Sequence, residues 1–152
     1  MDLRKYFFDI MCEITDKDTI VIVGDLGYSK MEEYALKHPN KFMNIGCMEQ
    51  SMVGIGAGMA HAGKKVYIYS NQIFLVMRAY EQIRDDICYN NLPVKLIGTG
   101  ANGFLGFSHN LEGRENINTL LSNLPNIKIH NPKNKKELKK ALLSKGTSFI
   151  QV

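Results

Sequence analysis

The sequence has no tryptophan, only four prolines and three cysteines in 152 residues. Cys12, Cys47 and Cys88 are odd in number and show no Cys-x-x-Cys spacing, which argues against a disulfide framework and gives no zinc signature. They read as reduced thiols in a cytoplasmic protein. Neither sign of charge dominates: 19 Lys and Arg against 15 Asp and Glu leave +4, too mild to imply a nucleic-acid partner. Long apolar runs are missing too. No stretch reaches the roughly 18 residues that a membrane span requires. Asp2, Arg4, Lys5 and Asp9 interrupt the start, where a signal peptide would need an apolar segment. Neither a membrane nor a nucleic acid is therefore expected as a partner. Repeats, low-complexity tracts and linkers are absent as well.

What is present is the composition of a folded domain, 45% hydrophobic and 22% charged, in a chain of about one domain's length. Helical and strand patterns alternate along it. Leu3, Phe7, Ile10, Met11 and Ile14 stand at helical spacing within 2–16. Strands are expected at 19–23, 42–45, 66–69, 94–97, 127–130 and 149–152. Helices are expected at 30–37, 49–62, 74–89, 114–121 and 133–143, with Asn131 and Pro132 suited to the cap and first turn of the last. Strands separated by helices mean βαβ units. The fold class is a single α/β domain over residues 1–152, with a mainly parallel sheet covered by helices on both faces.

Three segments could carry chemistry. Gly46-Cys47-Met48-Glu49-Gln50 follows a strand and opens a helix. An acid in a helix's first turn has a plain explanation, capping of free N–H groups; the alternative is a partly buried acid serving as a proton donor. The helix after it carries Gly54, Gly56 and Gly58, which suggests a close neighbour, most simply another helix. Gly98-Thr99-Gly100-Ala101-Asn102-Gly103 is formally a dinucleotide motif, but no helix pattern follows it directly. Loop flexibility accounts for its glycines better. Ser108-His109 ends that loop, where a histidine is either a surface residue or a ligand contact. Lys133, Lys135, Lys136, Lys139 and Lys140 read as the solvated face of a short amphipathic helix.

Taken in order, several segments resemble the pyrimidine-binding domain of the transketolase family of thiamine diphosphate enzymes. They are Asp25-Leu26-Gly27-Tyr28-Ser29, the run from Asn44 through Glu49-Gln50 to Ala60, Arg78-Ala79-Tyr80-Glu81-Gln82-Ile83-Arg84, Leu92-Pro93-Val94, Ser108-His109 and Leu124-Pro125-Asn126. The resemblance implies a thiamine diphosphate-binding fold and a cofactor shared with a diphosphate-binding partner subunit, which would hold the Mg2+; no metal ligand is assigned to this chain. The family's Gly-Asp-Gly signature is not matched by Gly24-Asp25-Leu26, and Val152 falls where the family's pyrimidine domain ends. One subunit of a split, transketolase-like transferase is the expectation, assembled as a heterotetramer.

By resemblance, Glu49 is the cofactor-activating acid, bonded to the pyrimidine ring nitrogen, and His109 a histidine that bonds substrate hydroxyls. Asp25, Leu26, Asn71, Phe74 and Met77 fall at the cofactor, Phe74 as an aromatic packed on the pyrimidine. Arg4 and Ser29 match positions that touch a substrate phosphate. Asn71 and Met77 stand where aromatic residues are frequent, and Leu105 where a substrate-binding Asp is usual. With Phe104 and Phe107, Leu105 makes that loop apolar, so the expected donor is a small 2-oxo acid or a modified sugar rather than xylulose 5-phosphate. The transferred group is a two-carbon ketol or acyl unit. A 2-oxo acid decarboxylase subunit and a non-catalytic stabilising module are the competing readings.

Overall fold

The structure is a computed structural model that describes residues 3–100 and 116–152. Along the chain run α1 (Leu3–Ile14), β1 (Thr19–Val23), α2 (Glu32–Lys37), a 3-10 turn at Pro39–Lys41 and β2 (Phe42–Asn44). Then come α3 (Glu49–His61), β3 (Lys65–Asn71), α4 (Gln72–Arg78), α5 (Tyr80–Gln82) and a π turn at Ile83–Cys88. β4 (Lys95–Thr99), α6 (Ile117–Ser122), β5 (Ile127–His130), α7 (Lys135–Leu142) and β6 (Thr147–Gln151) complete it.

The interior strands β1, β3 and β4 are short, largely apolar and buried on both faces, which suits a sheet covered on two sides. All six pair in parallel, in the order β2-β1-β3-β4-β6-β5. Alternate strand residues go to opposite faces. Ile22, Ile68, Leu96 and Phe149 pack under α3, α4 and α6. Val21, Val23, Tyr67, Tyr69 and Ile150 pack under α1, α2 and α7, against Phe7, Phe8, Tyr34 and Leu138. The chain steps outward from β1 to β2, then returns to β3 on the other side of β1. That reversal opens a crevice at the carboxyl ends of β1 and β3, the switch point where open α/β sheets bind ligands.

Four local expectations are corrected. The helix expected over 74–89 is broken, because Ala79 leaves helical geometry and the chain then widens into the π turn. The wider turn brings Ile83, Ile87 and Cys88 into the core together, a five-residue spacing that an α-helix spreads over more of its surface. Asn134, not Asn131, caps α7: its side chain accepts from the Glu137 N–H at 2.9 Å while Glu137 accepts from the Lys133 N–H at 2.8 Å. Gly98 belongs to β4 rather than to a flexible loop. A Cβ there would stand 2.5 Å from the Phe149 ring and 2.8 Å from the Gln72 Cβ, so close packing selects glycine. Of the α3 glycines only Gly56 has a close neighbour, and it is β3 rather than a helix: a Cβ there would meet Ile68 at 2.6 Å, whereas one on Gly54 or Gly58 would meet nothing within 4 Å.

Lys135 and Lys139 both pair with Glu13 across the solvated face of α7, at 3.1 and 2.8 Å, tying α7 to α1. No helix among the described residues is long and apolar enough to cross a membrane.

Candidate active site

Glu49 opens α3 directly after β2, which places it at the mouth of the switch point. Its residue is 2% exposed. A carboxylate at that depth needs partners in place of water. Oε1 accepts a hydrogen bond from the Ser70 hydroxyl at 3.0 Å, and Oε2 from the Arg78 guanidinium at 3.1 Å. The carboxylate therefore reaches across to β3 and α4, which sets aside helix capping as the account of this acid.

Each partner is held by the fold. Ser70 lies near the end of β3, fully buried in a strand that is otherwise mostly apolar. Arg78 closes α4, one turn after Phe74, and its Cζ sits 3.8 Å from the Phe74 ring centroid. Acid, planar cation and aromatic face are thus stacked in one place. Cys47, Met48, Glu49, Gln50, Ser51 and Arg78 line a cavity of about 470 Å³ there. A larger cavity of about 640 Å³ lies at the opposite edge of the sheet, between His130 and α7, and holds no comparable acid-and-aromatic pair.

Asn71 is buried and caps α4, accepting from the N–H groups of Ile73 and Phe74 at 2.9 and 3.4 Å. It thereby fixes the first turn of the helix that presents Phe74. Met77 is half exposed on the same helix and does not line the Glu49 cavity.

A second cluster follows β1. Asp25 has φ +58° and Ser29 φ +64°, left-handed conformations that non-glycine residues seldom adopt. Between them Gly27 has φ +102°, and the ring of Phe8 lies 3.1 Å from where its Cβ would be. This tight turn is locked by Asn44, whose Oδ1 accepts from the Asp25 and Gly46 N–H groups at 3.0 and 3.2 Å. The Tyr28 hydroxyl and the Asn44 amide both donate to the Asp25 carboxyl and hold it below its usual range, the tyrosine contributing most. Leu26 packs on the core beneath α1, and the Ser29 N–H bonds Glu32 at 2.7 Å. The Cys47 thiol reaches the Gly24 carbonyl at 3.9 Å, so this turn and the Glu49 segment adjoin.

The structure thus links Glu49 to Phe74 through Arg78, with Asp25 in the neighbouring turn. Arg4 lies in the first turn of α1, away from the acid in sequence and element. His109, with Ser108, Phe104, Leu105 and Phe107, lies outside the described residues. Two residues that sequence reasoning gave no role are Ser70 and Arg78. A serine among the large side chains of β3 signals a buried partner. The four-residue step from Phe74 to Arg78 signals a stacked pair on one helix face.

A doubly covered parallel sheet with a buried glutamate and a strained turn at its switch point defines a ligand-binding α/β domain. The profile of the transketolase pyrimidine-binding domain matches residues 1–148, and the chain belongs to that family. It is 38% identical over 112 residues to an apulose-4-phosphate transketolase subunit of Phocaeicola vulgatus, covering 70% of this chain and 36% of that protein. With a putative transketolase C-terminal section of Methanocaldococcus jannaschii it shares 35% identity over 115 residues, 72% of this chain and 36% of the relative. A solved split-gene transketolase, described as an inactive tetramer of beta chains, superposes with a TM-score of 0.83 at 29% identity. That match covers 97% of this chain and 49% of the other. The chain spans about a third of the length of these two curated relatives and about half of the solved one.

Proposed function

We propose that this chain is the pyrimidine-binding half of a split, thiamine diphosphate-dependent transferase of the transketolase type, with Glu49 as the acid that bonds the pyrimidine ring. The observation that carries this reading is that Glu49 and Phe74 each contact the same guanidinium, that of Arg78. A flat ring whose ring nitrogen shares a proton with a carboxyl group is what an aminopyrimidine offers, and these two residues already contact a planar N–H group, the Arg78 guanidinium. The residues present therefore fit the group.

When bound, the cofactor supplies the covalent chemistry of two-carbon ketol or acyl transfer. The chain supplies placement. Ser70 fixes one oxygen of Glu49, and the other, held by Arg78, is the one a bound ring would take. Asn71 fixes the start of α4 and with it the height of the Phe74 ring. Burial of Glu49 limits water at the acid and strengthens its hydrogen bonds. The diphosphate and its Mg2+ are assigned to the partner subunit, with His109 and Ser29 left to contact the substrate.

The Phocaeicola vulgatus relative is named as a subunit, and the solved tetramer is described as inactive; both support a half that needs a partner. The test is calorimetry of thiamine diphosphate with Mg2+ on this chain, on its diphosphate-binding partner and on their mixture. Tight binding should appear only in the mixture, together with a heteromer of two chains of each kind. Micromolar binding by this chain alone would overturn the split-site reading.

A further inference from the structure

Arg78 holds the same two contacts that the proposed function asks of a bound ring. Its guanidinium is planar, carries N–H donors in the plane and exposes flat faces. One N–H meets Glu49 Oε2 at 3.1 Å, and a face lies 3.8 Å from the Phe74 centroid. A protonated or amino-bearing pyrimidine offers the same features: in-plane donors for the carboxylate and a flat face for the aromatic. The two cannot lie on one ring face together.

We propose that Arg78 is an internal stand-in for the pyrimidine, which every ligand of Glu49 must displace. This rests on the reading of Glu49 and Phe74 as the ring's contacts. The geometry allows the exchange at low cost. The Arg78 side chain is 45% exposed and sits at the last residue of α4, so its head swings into water without unpacking the core. Glu49 keeps its Ser70 hydrogen bond throughout. The stand-in also gives the buried carboxylate a counter-charge when no ring is bound, which keeps the site folded and ionised groups paired. Its price is affinity: a ligand that must first displace a favoured internal partner binds more weakly by the fraction of sites in which the partner has left.

The test uses the full chain and a small probe, 4-amino-5-hydroxymethyl-2-methylpyrimidine, titrated by NMR onto the native protein, Arg78→Met and Glu49→Gln. Methionine keeps the stem over Phe74 and removes the guanidinium. Arg78→Met should bind the probe about five- to tenfold more tightly than the native chain. In the native chain the Arg78 Nε resonance should shift towards that of a solvated arginine as the probe is added. Glu49→Gln should weaken binding in either background. Equal or weaker binding by Arg78→Met, with Glu49→Gln still impaired, overturns the stand-in and leaves the function standing. Unchanged binding by Glu49→Gln overturns both, and no binding by any of the three chains overturns the stand-in, because removal of the guanidinium should expose the site. Should Arg78→Met fail to fold, Arg78→Lys, which keeps charge but not the planar fork, should show a smaller tightening of the same sign; none would count against the stand-in.

Discussion

At the residue scale the candidate site is a set of side chains that each solve a neighbour's problem. Glu49 is buried and therefore needs donors; Ser70 is buried and needs an acceptor; Phe74 presents a face that Arg78 covers. Asn71 stands at an expected cofactor position, and its structural task is now explicit as the cap of α4. Losing such a cap costs about 1 kcal/mol. Asn71→Ala should lower stability by about that amount in denaturant titrations, and Asn71→Asp should retain most of it. An unchanged midpoint for Asn71→Ala would show that the cap carries no weight. Glu49 was legible as a candidate from the Gly-x-x-Glu-Gln segment because an acid opening a helix after a strand is a local pattern, although that pattern alone left helix capping open. Arg78 and Ser70 were not, because their meaning depends on a contact between elements 21 and 29 residues away in sequence from Glu49.

At the scale of elements, the alternation of periodicities revealed the βαβ order, and β1 and β5 fall where their apolar runs stand. The misplaced features have physical causes that lie outside any one segment. The π turn answers to the core that Ile83, Ile87 and Cys88 must share, and Gly98 answers to Phe149 on the adjacent strand. The β4–β6 seam also carries an electrostatic cost. Lys95 is 4% exposed, with its ammonium donating to the Gly146 carbonyl, and burial, helped by the nearby Lys128, lowers its pKa from 10.5 to about 8. Between those values the unfolded chain binds the extra proton, so stability from this group rises as pH climbs from about 8 to 10.5. At about 1.36 kcal/mol per unit, the full span is on the order of 3 kcal/mol. Lys95→Met removes that dependence: its stability relative to the native chain should fall by about 2–3 kcal/mol between pH 7.5 and 10.5. A difference that stays flat across this range would contradict the burial account.

At the scale of the whole molecule, a single sheet does two jobs. Its interior strands anchor helices on both faces, and its reversal between β2 and β3 brings Glu49, Ser70 and the Asp25 turn to one end. The candidate site so formed has an acid and an aromatic ring joined through Arg78. The central claim is that Glu49 acts on the bound cofactor rather than merely bracing α3. It is tested most directly by the exchange rate of the thiazolium C2 proton, measured by NMR on thiamine diphosphate bound to the complex of this chain and its partner. Glutamine keeps the volume of glutamate, and its amide oxygen can accept from Arg78 while its NH2 donates to the Ser70 hydroxyl, so Glu49→Gln should fold and assemble. Its C2 exchange should nevertheless slow by about 10²–10⁴-fold, the usual worth of a positioned acid. Native exchange rates in an intact Glu49→Gln complex would contradict the account.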